Sequence, residues 1–434
     1  MDTIVALSSG SLPSGVAIIR ISGPKAATVI SVLGARIAQP RQTSLQIFRD
    51  NDGSVIDEGL VLWFPAPHSF TGEDVVELQT HGSRAVVAGI LDVLLSIDGV
   101  RHAEAGEFAR RAFANGKIDL TEAEGLADLI DAETTAQRKV AQYLASGGLK
   151  DLYNDWQDQL LNARAMIEAD IDFADEDDVP GSVADQVWND MAKLYQSISA
   201  HLDGYDRSER IRDGFKISLI GKPNVGKSSL LNALAGSDRA IVSSEAGTTR
   251  DIVEVRLDIA GYLVLLSDTA GIREQAGSVE AEGIRRSIAS AQEADLILFL
   301  SDEDEWHHDF IDANSKVLNI RSKADLSSDI KPDEDVIFVS VNDAASVTAL
   351  LEKLFAIISI ELDQSRIGSA IKSRYIDHLS QCLKDLNKSI ESDDALELRA
   401  EHLRSAAYSL GRITGQFDTE DVLGRIFSSF CIGK

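Results

Sequence analysis

The residues with the clearest chemical purpose lie between Gly221 and Ser229, reading Gly-Lys-Pro-Asn-Val-Gly-Lys-Ser-Ser. The spacing G-x-x-x-x-G-K-S is complete, closing on Gly226, Lys227 and Ser228. An apolar run at 215–220 precedes it and a helix-forming run at 230–235 follows, so the order is strand, glycine-rich loop, helix. Glycine lets the backbone curl until its N–H groups face a phosphate. The following helix turns its positive end toward the same anion. Lys227 adds a point charge for the outer phosphates, and Ser228 offers a hydroxyl to Mg²⁺. Asn224, Val225, Gly226, Lys227, Ser228 and Ser229 are therefore expected around a nucleotide.

Four further elements follow in order. Ser243, Ser244, Glu245, Ala246, Gly247, Thr248 and Thr249 contain a threonine hydroxyl able to complete Mg²⁺ coordination beside a γ-phosphate; Thr249 is assigned that role. Asp268-Thr269-Ala270-Gly271 comes after the apolar residues 263–266. An aspartate at a strand end can hold Mg²⁺ through water, and the Gly271 N–H can reach the γ-phosphate. Ser322-Lys323-Ala324-Asp325 follows a strand at 317–320, and the Asp325 carboxylate can accept both the ring N–H and the exocyclic amine of guanine. Adenine cannot make that pair, so GTP is selected. Ser340-Val341-Asn342, after a strand at 336–339, is the fifth element. Each alone is weak evidence; together, in this order, they specify a Ras-like GTPase. Two positions depart from the common pattern. Ile272 stands where a water-orienting glutamine is usual, and Ser322 where asparagine is usual. Serine is shorter than asparagine and cannot repeat the amide's paired contacts, so guanine affinity is expected to be lower.

These motifs need a scaffold. Strand and helix patterns alternate around them, which predicts a largely parallel sheet covered on both faces. Upstream, short β-rich runs at 3–7, 16–22 and 60–64 and a helical pattern at 83–97 predict a mixed α/β unit. Residues 70–82 mix strand formers with charges and read as a solvated turn and an edge strand. Thr121-Glu122-Ala123-Glu124 reads as a capping box opening a helix. A second helix places Trp156, Leu160, Ala163, Ile167 and Ile171 on one stripe and ends in an acidic run that includes Glu168, Asp172 and Asp178, read as a solvated turn rather than a metal site. A third helix is expected over about 183–205. Leu379, Cys382, Leu383, Leu386 and Ile390 form one stripe near the end of the chain, and Leu396, Leu403, Ala407 and Leu410 another.

Composition sets the outer bounds. The chain has 434 residues, enough for several domains, and 44% hydrophobic with 26% charged residues is ordinary for a globular protein. Acidic side chains number 70 against 42 basic ones, a formal net charge of −28. Such a surface repels nucleic acid, so any RNA contact needs a local basic patch or a second protein. Two cysteines, Cys382 and Cys431, imply no disulfide framework and fit a reducing, cytoplasmic setting. The N-terminus carries no basic, apolar leader pattern, and no stretch is long and apolar enough to span a bilayer.

Other pieces would be absent from a generic GTPase. They are Asp2-Thr3-Ile4-Val5-Ala6, Arg20-Ile21-Ser22-Gly23-Pro24, Ser69-Phe70-Thr71-Gly72-Glu73-Asp74, Asp128-Leu129-Ile130-Asp131-Ala132, Gly247-Thr248-Thr249-Arg250-Asp251, and the ending Leu423-Gly424-Arg425-Ile426-Phe427-Ser428-Ser429-Phe430-Cys431-Ile432-Gly433-Lys434. With them the chain resembles the bacterial tRNA modification GTPases of the MnmE (TrmE) family over essentially its whole length. The resemblance implies a multidomain α/β plus all-α fold. An N-terminal folate-binding α/β and dimerisation domain would occupy 1–118. A helical domain would be built from 119–211 and 366–434, with a Ras-like P-loop GTPase domain over 212–365 inserted into it. It further implies a K⁺-dependent GTPase, homodimeric, that works with the flavoprotein MnmG (GidA). Together they would install a carboxymethylaminomethyl or aminomethyl group on C5 of the wobble uridine, position 34, of certain tRNAs. A tetrahydrofolate derivative, in the 5-formyl or 5,10-methylene form, would supply the one-carbon unit, and tRNA would be held largely by the partner. Carried over by motif, Arg20, Glu77, Lys117 and Lys434 would contact the folate. Asn224 with Ser243, Glu245 and Thr248 would ligate K⁺, and Glu280 would orient the attacking water. Cys431 reads equally as a reactive thiol and as a small buried hydrophobe. The competing expectation is an Era- or Der-like RNA-binding GTPase switch in ribosome assembly. Such a switch would carry a basic RNA module where this chain has acidic helices.

Overall fold

A computed structural model of the chain describes residues 2–37, 39–172, 183–237, 239–241, 253–268, 289, 291–303, 306, 311–312, 315–326, 336–362, 372–391, 395–417, 426–427, 430 and 433. The chain divides into two compact units. The first comprises Met1–Ala127, Ala145–Val187 and Lys384–Lys434, and the second Asp128–Leu144 and Trp188–Leu383. The architecture is the expected multidomain α/β plus all-α fold.

Six strands form the sheet of the first unit: β1 (Thr3–Leu7), β2 (Ser14–Ser22), β3 (Ser44–Arg49), β4 (Val55–Phe64), β5 (Val75–Gly82) and β6 (Val100–His102), in the order β3-β4-β5-β2-β1-β6. All neighbours are antiparallel except β1 and β6. Alternation puts Val5, Ile19, Ile21, Val76 and Leu78 in one core with Val87, Ile90 and Leu94 of the helix Arg84–Leu95. Ser83 caps that helix by accepting from the Val86 N–H at 3.1 Å. One expectation is overturned here. Val75–Gly82 is no edge strand but lies inside the sheet between β4 and β2, with Val75, Val76, Leu78, Thr80 and Gly82 buried. Its charges misled because Glu77 pairs in register with Arg20 on β2 instead of facing open water.

Helices outside the sheets are shared between the two units. The helix Leu120–Asp131 starts one residue earlier than expected, and its box is shifted too. Asp119 Oδ1 accepts from the Glu122 N–H, and the Glu122 carboxylate accepts from the Asp119 N–H, each at 2.8 Å. Thr121, fully buried, donates to Asp119 rather than capping. The helices Gly148–Asp172 and Leu396–Thr414 pack together, burying Trp156, Leu160, Ala163 and Ile167 from one and Leu403, Ala407 and Leu410 from the other. Part of the acidic run, including Asp175, Glu176, Asp177 and Asp178, lies outside the described residues. The third expected helix is Val183–Leu202, and a further helix, Tyr205–Asp213, follows it after Gly204. In the helix Ser373–Glu391 the expected stripe is inward, with Leu379, Cys382 and Leu386 fully buried.

In the second unit the strands β7 (Phe215–Gly221), β8 (Val253–Ile259), β9 (Tyr262–Asp268), β10 (Leu296–Ser301), β11 (Val317–Ser322) and β12 (Val336–Val339) run β12-β11-β10-β7-β9-β8. Only the edge pair β8/β9 is antiparallel. Every residue of β10, Leu-Ile-Leu-Phe-Leu-Ser, is buried, as a parallel strand covered on both faces requires. Leu230, Leu231 and Leu234 of the helix Lys227–Ala235 and Leu350, Leu351, Leu354 and Ile358 of the helix Ala344–Glu361 join this core. β7 stands between β9 and β10, the place where strand order reverses, and open α/β sheets take ligands at the carboxyl ends of such strands. Among the described residues, no helix is long and apolar enough to cross a membrane.

Candidate nucleotide and one-carbon sites

At the carboxyl end of β7 the loop bends through Asn224, with φ of 64°, and Gly226, with φ of 104°, before the helix Lys227–Ala235 begins. Gly226 is needed for that left-handed bend, which a side chain would strain. Lys227 is 6% exposed and folds back over the loop, donating to the carbonyls of Gly221 at 2.8 Å and Lys222 at 2.9 Å. Burial lowers its pKa below the ordinary lysine value, and Asp268 opposes the shift. A buried ammonium resting on neutral carbonyls fits an anion such as phosphate. Ser228 Oγ donates to Asp268 Oδ2 at 2.8 Å across the ends of the loop and β9. A hydroxyl and a carboxylate side by side are hard oxygen donors, the set Mg²⁺ takes alongside phosphate oxygens.

The base end is built by β11, β12 and the loops after them. Asp325 accepts from Asn342 Nδ2 at 3.2 Å, and hydrogen bonds from Ser340 and Asn342 hold its carboxyl below the usual range. Asp325 is thereby kept ionised, as recognition of the guanine N–H edge requires. Lys323, with φ of 53°, reaches Asp302 at 3.0 Å. Ala324 and Val341 lie between these polar groups in sequence. Ser340 Oγ accepts from the Asn342 N–H at 3.2 Å.

Ser322 does something the sequence does not announce. Its hydroxyl donates to the Val225 carbonyl at 2.6 Å and lies 3.2 Å from the Ser301 carbonyl, buried between them. It fastens the phosphate loop to the end of β11, so the serine is employed on the protein's own backbone. Ser243, Ser244, Glu245, Ala246, Gly247, Thr248, Thr249, Thr269, Ala270, Gly271, Ile272 and Glu280 lie outside the described residues, as do Cys431 and Lys434.

In the first unit, Arg20 and Glu77 face each other across β2 and β5, with Arg20 Nε 2.9 Å from Glu77 Oε1. The Arg20 guanidinium lies 5.6 Å from the ring centres of both Phe70 and Phe108. Lys117 is exposed, and its side chain crosses close to Gly72, two residues from Phe70. Arg20 and Glu77 are thus in direct contact, and Lys117 lies against Gly72. Beside them is a cavity of about 320 Å³ lined by Arg41, Phe64, His68, Ser69, Phe70, Val75 and Glu77. Sequence reasoning passed over Arg41 and His68; Arg41 donates to the His68 carbonyl at 2.6 Å, an association across 27 positions with no local signature. In the same unit an ion-pair cluster joins Asp2, Glu73, Arg101, Glu107 and Arg111. The described residues near the end of the chain pack within the same unit. Phe427 and Phe430 pack on Ala109, Leu120 and Ala123, and Ser8 Oγ donates to the Gly433 carbonyl at 2.7 Å. At Gly433, φ is 105° and a Cβ would collide with the Leu7 carbonyl oxygen, so only glycine fits.

Comparison with known proteins places the whole chain among its relatives. Residues 3–117 match the family described as the GTP-binding protein TrmE N-terminus, and residues 120–431 match the MnmE helical domain. A tRNA modification GTPase MnmE of Rhizobium meliloti is 50% identical over 436 residues, covering 100% of this chain and 99% of that one. Its counterpart in Agrobacterium fabrum is 49% identical over 437 residues, with the same coverage. The Brucella canis MnmE is 49% identical over 435 residues, spanning 100% of this chain and 98% of its own.

Proposed function

The chain belongs to the MnmE family of tRNA modification GTPases, and from that premise we propose that it hydrolyses GTP to drive modification of C5 of the wobble uridine. The observation that carries the nucleotide part is the buried Lys227 ammonium over the phosphate loop, beside the Ser228–Asp268 pair at 2.8 Å. Lys227 neutralises the outer phosphates as charge builds in the transition state. Ser228, with Thr249, would hold Mg²⁺, whose positive charge would offset the negative charge of the phosphates. Asp325 reads guanine and excludes adenine. Ser322 keeps the loop in register with Asp325, so phosphate and base are gripped at a fixed separation.

Ile272 brings no hydrogen-bonding group to the water, and Glu280 is the residue assigned to orient it. Asn224, on the left-handed bend of the loop, would face K⁺ together with main-chain oxygens of Ser243, Glu245 and Thr248. In the first unit the Arg20–Glu77 pair, the Phe70 ring and the adjoining cavity suit a flat heterocycle with a carboxylate tail. Arginine and lysine take carboxylate and carbonyl groups, and glutamate takes an amino and N–H edge. A tetrahydrofolate derivative fits that description, with Lys117 and Lys434 at its periphery and Cys431 beside the terminus. The MnmG flavoprotein would supply redox chemistry and most tRNA contacts to a homodimer of this chain in the cytoplasm.

The test is turnover of GTP by the full chain in equimolar KCl and NaCl, with and without Glu280→Ala. Turnover is expected to be far faster in K⁺, and Glu280→Ala to lose turnover while K⁺-dependent dimerisation persists. Equal rates in the two salts would remove K⁺ from the reading. Absence of any GTP turnover would overturn the GTPase assignment.

A further inference from the structure

We infer that residues Glu133, Ala136 and Gln137 form a transmitter of nucleotide state: they position the strands that carry the nucleotide site and shift when that site changes. The inference rests on the GTPase reading above. Three grips carry it. Glu133 Oε1 accepts from Arg256 Nη1 on β8 at 2.6 Å. The Ala136 N–H donates to the Gly261 carbonyl, in the turn between β8 and β9, at 2.8 Å. Gln137 Nε2 donates to the Arg212 carbonyl, just ahead of β7, at 2.8 Å.

Each gripped strand bears on the site. β7 runs directly into the phosphate loop, and β9 ends at Asp268. β8 follows the segment 242–252, which contains Thr249. Arg256 is held from two directions, since its own carbonyl accepts from the Ile241 N–H at 2.9 Å. Ile241 is the residue immediately before 242–252. Glu133 is thus linked through Arg256 to both β8 and Ile241, one hydrogen bond at each step.

The grips differ in burial. Ala136 is 2% exposed within the core of the nucleotide unit, with Val140 packed beside it. That apolar contact is the pivot. The Glu133–Arg256 pair is partly exposed on both sides, 28% and 36%. Arg256 also lines a cavity of about 430 Å³ together with Asp128, Asp131, Arg212, Asp213 and Lys372. An exposed ion pair beside a polar cavity opens at little cost, while the buried pivot keeps the segment attached. Coupling requires such a pair of near-equal arrangements that both ends can bias. Because coupling is reciprocal, a partner pressing on residues 128–141 would also alter nucleotide affinity.

Hydrogen–deuterium exchange of the full chain, saturated with GDP or with the β,γ-imido analogue of GTP, tests this. Residues 131–141 are expected to exchange severalfold differently in the two states. In Glu133→Gln that difference should vanish while residues 221–229 stay protected by both nucleotides. The swap Glu133→Arg with Arg256→Glu should restore it. Gln137→Ala, which leaves every ion pair intact, should also weaken the difference and serves if Glu133→Gln melts early. Equal exchange of 131–141 in the two states of the unaltered chain overturns the inference, and so does a difference that survives in both variants. If 221–229 gains no protection from either nucleotide, the GTPase reading itself has failed and takes the inference with it.

Discussion

At Ser322, which is 7% exposed, one hydroxyl proton serves the Val225 carbonyl, 2.6 Å away. Ser322→Ala removes that tie, a loss of about 1 kcal/mol for a net hydrogen bond. That corresponds to roughly a fivefold rise in Kd, readable as weaker binding of fluorescent GDP with the melting temperature little changed. An unaltered Kd would mean that the loop holds its place without the serine. Glu107 makes a second prediction. Burial alone would raise its carboxyl, but hydrogen bonds from Arg101, the Glu104 N–H and Arg111 outweigh burial and bring it down to about 2. A folded pKa below the ordinary 4.5 means that Glu107 stabilises the fold fully above pH 4.5 and progressively less as pH falls toward 2. Glu107→Gln should melt earlier at pH 7, and its gap from the unaltered chain should narrow below pH 4.5. A gap constant with pH would show that packing, not charge, sets the effect.

Among the elements, the returning end of the chain is the most exposed to test. Phe427 is 3% exposed and stands 6.5 Å from Phe113 and 5.7 Å from Phe430, centre to centre. Truncating a buried phenylalanine costs about 3–5 kcal/mol, more than a short segment can spare. Phe427→Ala should therefore free the terminal segment, and limited proteolysis should cut beyond Thr414 while GDP binding is unchanged. Loss of GDP binding would instead tie this segment to the nucleotide unit. Elements defined by local periodicity were legible in the sequence: β1, the helix Arg84–Leu95 and the phosphate loop between β7 and its helix all stand where the residues put them. β5 was misread because its outward positions carry Glu77, Gln79 and His81, and polar residues facing a site look like polar residues facing water. The cap at Asp119 was missed because two boxes overlap, Asp119-x-x-Glu122 and Thr121-x-x-Glu124, and only the fold decides that Thr121 is buried. The ties from Ser322 to Val225 and from Gln137 to Arg212 span 97 and 75 positions, and no local pattern marks them.

For the molecule as a whole, a net charge of −28 must be reconciled with a tRNA substrate. Electrostatic repulsion works against the phosphate contacts that dominate RNA affinity. With the proposed flavoprotein partner present, tRNA should bind at least about tenfold more tightly than to this chain alone, with a steeper salt dependence, measured by fluorescence anisotropy. Equal affinities would place the phosphate contacts on a basic patch of this chain. The division into two units also fixes an order of assembly on the ribosome. The nucleotide unit ends at Leu383, whereas the sheet unit, begun first, also takes in Lys384–Lys434, tied to its start by the bond from Ser8 to Gly433, 425 positions apart. At elongation rates of about 5–20 residues per second, those last residues take several seconds to emerge. Throughout that interval the first unit lacks the terminal phenylalanines and the helix Leu396–Thr414, and the helical residues Ala109, Leu120 and Trp156 that they cover are open to chaperones. The part of the chain translated first is the part that finishes folding last.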